Sequence, residues 1–289
     1  GMDATGVSQT VWRQQTVSSV FDLLAAPDAA ANVWGPIRGL EPSNAGDAED
    51  PQIAVEADGG AIAVWSQDDG TRFNIWANRH AGDGDWGVAQ LIETNDLDSG
   101  RDPQIAIDTA GPALAVWYQG DGFQSSIWAN RYSAGGGWGT AEPIETNNAG
   151  DAFGPQVAFD AAGNALAVWY QMTGTRFDIW ANRYTAGIGW GTAEVIGAHA
   201  LGSHSSPQIA IEPGGNALVV GEQFDGMHRN IWANRFTVGS GWGAGELIET
   251  NDLGDAFGPQ VGIDASGNGI AVWFQVGGGG TDVWANRFE

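Results

Sequence analysis

The sequence predicts an all-β protein: a five-bladed β-propeller of 52-residue, four-stranded blades, closed by an N-terminal strand. Two observations carry that prediction. Trp-Ala-Asn-Arg begins at Trp76, Trp128, Trp180, Trp232 and Trp284, each 52 residues after the one before, and Pro-Gln keeps the same step from Pro51 through Pro103, Pro155 and Pro207 to Pro259. Within each unit apolar residues alternate with small or polar ones, and 45 Gly in 289 residues supply turns. This suits four short antiparallel strands; it fits neither a helical repeat nor the shorter coil of a β-helix.

The unit from Pro155 to Glu194 shows the elements in order. Strand A, Pro155 to Asp160, leads into the turn Ala-Ala-Gly-Asn. Strand B, Ala165 to Gln171, is rich in β-branched and aromatic residues. Strand C, Phe177 to Tyr184, follows the Met-Thr-Gly-Thr loop and ends at the Gly-rich turn Gly187 to Gly189, after which Trp190 to Val195 forms strand D. Fourteen of the 15 Trp fall on three repeat positions: Trp34, Trp86, Trp138, Trp190 and Trp242; Trp65, Trp117, Trp169 and Trp273; and the five motif Trp. Large rings beside Ala and Gly are what twisted sheets need to pack face to face.

Strands A, B and C recur five times, and the fifth strand C is followed directly by Glu289. Trp34-Gly35-Pro36-Ile37 stands 52 residues before Trp86-Gly87, so it is expected to pair with Val283 to Phe288 and close the ring as the fifth strand D. Residues 34–289 would then be the propeller and residues 1–33 an extension or degenerate blade fragment. The alternative is six blades, with Val11-Trp12 and Phe21-Asp22-Leu23 as degenerate strands B and C. Ser18 to Ala26 also reads as a short helix with Ser18 as its N-cap.

Composition narrows the function classes. All 11 basic residues are Arg, against 35 Asp plus Glu, for a formal net charge of −24. A polyanion gains nothing from such a surface, which excludes nucleic acid and disfavours anionic membranes. No apolar run is long enough for a membrane helix, and the lack of Cys excludes disulfides and thiol chemistry. Gly1-Met2-Asp3 leaves the presence of a signal peptide open.

The unit resembles the sialidase-like propellers built from bacterial neuraminidase repeats. Tyr132-Ser133-Ala134-Gly135-Gly136-Gly137-Trp138 stands where those proteins carry the Asp-box Ser-x-Asp-x-Gly-x-Thr-Trp, and Asp83 before Gly84 keeps an Asp there. The turn is two residues shorter than that pattern. The five-unit count also resembles the tachylectin-type lectin propellers. Sialidases, as the resemblance implies, work through one asymmetric set of three Arg, a Tyr–Glu nucleophile and an Asp acid. Here Arg79, Arg131, Arg183, Arg235 and Arg287 keep repeat register, and packing needs five copies where catalysis needs one.

Polar side chains recur at few positions: the motif Asn and Arg; Gln67, Gln119, Gln171, Gln223 and Gln275; and the strand-A carboxylates Glu56, Asp108, Asp160, Glu212 and Asp264. In the framework reading each Arg answers a strand-A carboxylate or a carbonyl, while Asn and Gln satisfy buried backbone between sheets. In the functional reading Trp76, Asn78 and Gln67, Trp128, Asn130 and Gln119, and Trp180, Asn182 and Gln171 form repeated sugar sites, an aromatic face beside amides. Oxygen-rich loops such as Glu93-Thr94-Asn95-Asp96 suit Ca²⁺. The fourth unit departs from its siblings, with Gly221-Glu222 where they have Trp followed by an aromatic residue or Ser, and with three His; His199, His204, His228 and Glu222 are a candidate Zn²⁺ set. The expected function is a secreted or cell-surface, non-enzymatic recognition module, multivalent for carbohydrate, with a glycan or surface protein as partner. The alternatives are a structural or protein-interaction propeller without a small ligand, and a sialidase-like glycoside hydrolase.

Overall fold

The computed structural model describes residues 8–15, 20–29, 33–34, 36–42, 46–82, 85–197, 202–251 and 254–289. Ser18, Asp83 and His199 lie outside them. The chain divides into two compact units, Gly1–Pro143 and Ile144–Glu289, and each contains three antiparallel sheets.

In the first unit, sheet 1 comprises Gln9–Gln15, Phe21–Ala29, Val33–Trp34 and Arg38–Gly39. Sheet 2 takes strands A to D from Ala48–Val55, Ala61–Asp68, Phe73–His80 and Gln90–Leu91. Sheet 3 takes them from Gly100–Ile107, Ala113–Gly120 and Ser125–Ser133, with strand D split into Gly137–Trp138 and Glu142–Pro143. In the second unit, sheet 4 is Ala152–Phe159, Ala165–Thr173, Arg176–Thr185, and the split strand Gly189–Trp190 with Glu194–Gly197. Sheet 5 is His204–Ile211, Ala217–Phe224, Arg229–Thr237, and Gly241–Trp242 with Glu246–Leu247; sheet 6 is Ala256–Ile263, Gly269–Gly277 and Gly280–Phe288.

Three expectations are corrected here. Among the described residues six sheets are present rather than five, and Val33–Trp34 and Arg38–Gly39 do not join Val283 to Phe288 but pair with Phe21–Ala29. Phe21–Ala29 is itself a strand, not a helix. Its register opposite Gln9–Gln15, with Leu23 and Ala25 fully buried, puts its alternate side chains into a sheet-to-sheet core. Strand D is split because the residues between its halves turn so that Asn182 Nδ2 can donate to Gly191 O (3.2 Å) and Gly191 N to Arg183 O (2.9 Å).

Within each unit the cores lie between successive sheets. Trp117 of sheet 3 packs against Ile62, Val64, Ile75 and Ala77 of sheet 2, and Trp65 of sheet 2 against Leu23, Ala25 and Leu40 of sheet 1. In the second unit Trp273 of sheet 6 sits on Val220, Ile231 and Ala233 of sheet 5. Burying one such ring in place of leaving it exposed is worth about 2–3 kcal/mol at the usual area coefficient. Each ring also keeps its N–H satisfied: Trp65, Trp117 and Trp273 donate Nε1 to Oε1 of Gln67, Gln119 and Gln275 at 3.0, 3.0 and 3.1 Å.

Candidate functional site

The residues that repeat are committed to the framework. Gln119 Nε2 donates to Asn95 O and Asp98 O, Gln171 Nε2 to Asn147 O and Gly150 O, and Gln67 Nε2 to Gly46 O. Asn78, Asn130 and Asn182 each donate Nδ2 twice: to Leu40 O, Ile92 O and Ile144 O respectively, and to the strand-D carbonyls of Gly87, Gly139 and Gly191. Their amides therefore clamp strand C to backbone on either side. Trp180 is buried, while Trp76 and Trp128 are partly so. Arg79 makes a two-pronged bond to Glu56, Nε to Oε1 at 2.8 Å and Nη2 to Oε2 at 2.7 Å.

The departures of the fourth unit have a packing explanation. Gly221 stands opposite Trp232, and Trp232 lies so close to Gly197 and Gly245 that a Cβ on either would meet its ring at 2.9 and 2.1 Å. His204 is buried edge-on against the same indole, 5.6 Å between centroids. Glu222 accepts from Gly258 N (3.0 Å) and Ser205 Oγ (3.3 Å), with Arg229 at 3.7 Å. His228 is half-buried in the turn that its backbone N–H closes onto Asp225 Oδ1. Among the described residues no group of three His, Asp or Glu is arranged to hold a metal ion.

What varies between repeats gathers at one end of each sheet. Strand A bulges there: between the pairs Val116–Gln104 and Tyr118–Arg101, Asp102 and Pro103 together oppose Trp117. Pro103 cannot give a ladder hydrogen bond, and the residue before it is left-handed in every copy: Asp50 (φ 50°), Asp102 (52°), Gly154 (58°), Ser206 (52°) and Gly258 (64°). The following Pro further disfavours that conformation for any side chain. Two copies relieve the strain with Gly; Asp50 and Asp102 bear it and present carboxylates.

Around these two Asp, in the first unit, stand Glu49, Arg101, Tyr118 and Phe73. Arg101 Nη1 donates to Glu49 Oε2 (3.0 Å), and its guanidinium lies over the Phe73 ring at 3.7 Å. Arg13 approaches the other Glu49 oxygen at 3.8 Å. Asp102 is half-buried; burial first, and then the charge of Asp50, push its carboxyl up to about 6 against a hydrogen bond from Gln104. Asp50 is exposed to solvent. Burial also raises the Tyr118 phenol, with Arg101 opposing. The sibling positions in the second unit carry no Asp. They hold the aromatic trio Phe153, Tyr170 and Phe177 (centroids 5.4–6.3 Å apart), then Ser205, Glu222 and Arg229, then stacked Phe257 and Phe274.

The Asp50–Asp102 position is not kept from repeat to repeat, so recurrence does not mark it. The signal was present as Asp, Asp, Gly, Ser, Gly before the recurrent Pro-Gln.

No family model matches this sequence, and no curated protein does. Solved structures do. A polysaccharide lyase described as an ulvan lyase superposes with a TM-score of 0.71 at 9% identity, covering 99% of this chain and 79% of that one. The α-L-arabinanase of Penicillium chrysogenum gives 0.60 at 11%, covering 100% and 91%, and the intramolecular trans-sialidase of Ruminococcus gnavus 0.55 at 9%, covering 98% and 91%. The chain has the β-propeller fold of sialidases and arabinanases. The expectation of a non-enzymatic recognition module is overturned by this company, since the neighbours are mostly carbohydrate-processing enzymes by name. At these identities the likeness concerns the fold, and the reaction must be argued from the site.

Proposed function

We propose that the chain is a carbohydrate-active enzyme that hydrolyses glycosidic bonds, with Asp102 as general acid and Asp50 as the second carboxylate. The observation that carries this reading is the pair itself: two interacting carboxylates, one pushed up to about 6, at strained positions that sibling repeats fill with Gly or Ser. Glycoside hydrolysis needs one carboxyl still protonated near working pH and another ionised, and environments that push two pKa values apart assign those roles. Asp102 would pass its proton to the leaving glycosidic oxygen as the bond to the anomeric carbon breaks. Asp50, in contact with solvent, would take a proton from the attacking water. Tyr118, paired opposite Arg101 beside them, offers a hydroxyl for orienting the sugar.

Charge selects the substrate class. Arg101 and Arg13 both engage Glu49, with Asp50 and Asp102 alongside, so these two cations are already answered and offer little to a uronate or sialate carboxylate. A neutral glycan is favoured, and β-elimination, which needs a cation at the substrate carboxylate, is disfavoured. The test is reducing-end release from neutral oligosaccharides and polysaccharides, compared with acidic ones. The reading expects cleavage confined to neutral substrates and lost in Asp102→Asn. Cleavage that survives Asp102→Asn, or confined to acidic polymers with unsaturated products, would sink it.

A further inference from the structure

Asp102 stands near a part of sheet 3 that the cleavage step does not use. The loop that enters strand A and the turn that leaves strand B meet at one end of that sheet, since Gly100 and Arg101 pair with Gln119 and Tyr118. Two large apolar side chains reach into solvent there: Phe123 is 98% exposed and Leu97 70%. Scattered singly, such residues carry no meaning. Here both are mounted on fixed backbone at the end of the sheet that bears the candidate acid.

The turn is fixed by one carboxylate. Asp121 Oδ1 accepts from Phe123 N (2.8 Å) and Gln124 N (3.0 Å), Asp121 N donates to Gln124 O (3.0 Å), and Gly122 supplies the left-handed φ of 90° between them. The N–H groups of Gln124 and Phe123 hold the Asp121 carboxyl below the usual carboxylate range. The loop is tied down as firmly. Gln119 Nε2 donates to Asn95 O and Asp98 O, Leu97 N donates to Asn95 Oδ1 (3.1 Å), and Arg72 reaches Asp96 O (2.7 Å) and its carboxylate (2.5 Å). Asp98 packs so tightly on Gly120 that a Cβ there would overlap its carboxylate, which seats loop and turn together.

We propose that Phe123, with Leu97 beside it, is a platform for the far end of a neutral glycan chain and sets the substrate length that the enzyme prefers; this rests on the hydrolase reading above. Asp102 lies at the level of Trp117, and the three residues from there to Gly120, about 10 Å of strand, separate it from the start of the turn. A glycan of several units leaving Asp102 toward the turn reaches Phe123, and a short one does not. The Phe ring offers a flat apolar face, negative at its centre, to the C–H groups of a pyranose. Asp98 and Asp121 can accept from sugar hydroxyls, and Arg72, which reaches this loop, is already answered by Asp96, so an acidic chain gains little. Because loop and turn are ordered beforehand, holding a sugar there costs little further ordering.

The experiment follows reducing-end release from neutral oligosaccharides of increasing length by the parent chain, Phe123→Ala and Phe123→Trp. Calorimetry of the longest member with Asp102→Asn, alone and combined with Phe123→Ala, accompanies it. On long members Phe123→Ala should raise KM about tenfold, the size of one aromatic contact, with kcat kept. On the shortest member cleaved the two chains should agree within about twofold, and Phe123→Trp should restore the parental KM. Phe123 supports no core, so Tm should stay within about 2 °C of the parent. A KM that Phe123→Ala leaves unchanged or raises equally at every length, a fall in kcat, or no rescue by Trp would overturn the platform and leave the hydrolase reading in place. If the parent cleaves no neutral glycan, the hydrolase reading falls and the calorimetry still decides: binding weakened about tenfold in the double variant supports the platform, and equal or absent binding overturns it.

Discussion

Asp102 ties shape to chemistry in one residue. Its carboxyl rises to about 6 from the model-peptide range, so the proton it would donate is held up to that pH and lost above it. We expect kcat/KM on a neutral glycan to fall as pH rises through about 6, and Asp102→Asn to lower it about 10²–10⁴-fold. Asp102→Gly should do the same while raising stability at pH 8 by about 1 kcal/mol, because it releases both the left-handed strain and a poorly solvated charge. A loss of stability in urea unfolding would count against the strained assignment. Glu93, 5% exposed, is a second such group: burial pushes it up to about 7 although the N–H of Ile75 opposes the shift. A raised acid pKa means that the folded state holds the proton more tightly than the unfolded chain. Stability from this group is therefore present below about 4.5 and declines as pH rises toward 7. Glu93→Gln should flatten that slope and stabilise the protein at pH 8 by roughly 1–3 kcal/mol, measured as Tm across pH.

Elements were legible where the repeat repeated. Strand B at Ala165–Thr173 matches the expectation from Ala165 to Gln171 closely, since unbroken β-branched and aromatic residues leave no other period. Sheet 1 was harder to read because Val11, Trp12 and Phe21 to Leu23 carry no Trp-Ala-Asn-Arg, and Trp34-Gly35 bore the same signal whichever strand it paired with. The candidate site lay beyond a reading tuned to recurrence: its residues are departures from the repeat, and only the φ values and the Asp50–Asp102 interaction mark them out. The asparagine clamp is testable at this scale. Asn182→Ala would leave Ile144 O and Gly191 O without a donor, so a cost of about 1–3 kcal/mol in denaturant unfolding is expected, and Asn182→Asp should cost more.

At the scale of the whole molecule, 35 acidic side chains against 11 basic ones repel one another. Screening should therefore stabilise the fold: raising NaCl from about 0.01 to 0.5 M, where the Debye length shrinks from about 30 Å to a few Å, is expected to raise Tm by several degrees, and a fall would contradict the charge argument. The clamps have a consequence in time. Asn78 reaches back to Leu40, Asn130 to Ile92, Asn182 to Ile144, Asn234 to Ile196 and Asn286 to Ile248, always 38 residues toward the N-terminus. Every donor thus leaves the ribosome after its acceptor, and never before it. Each newly made sheet has its acceptor already emerged, so these bonds are compatible with latching sheet by sheet as the chain is made.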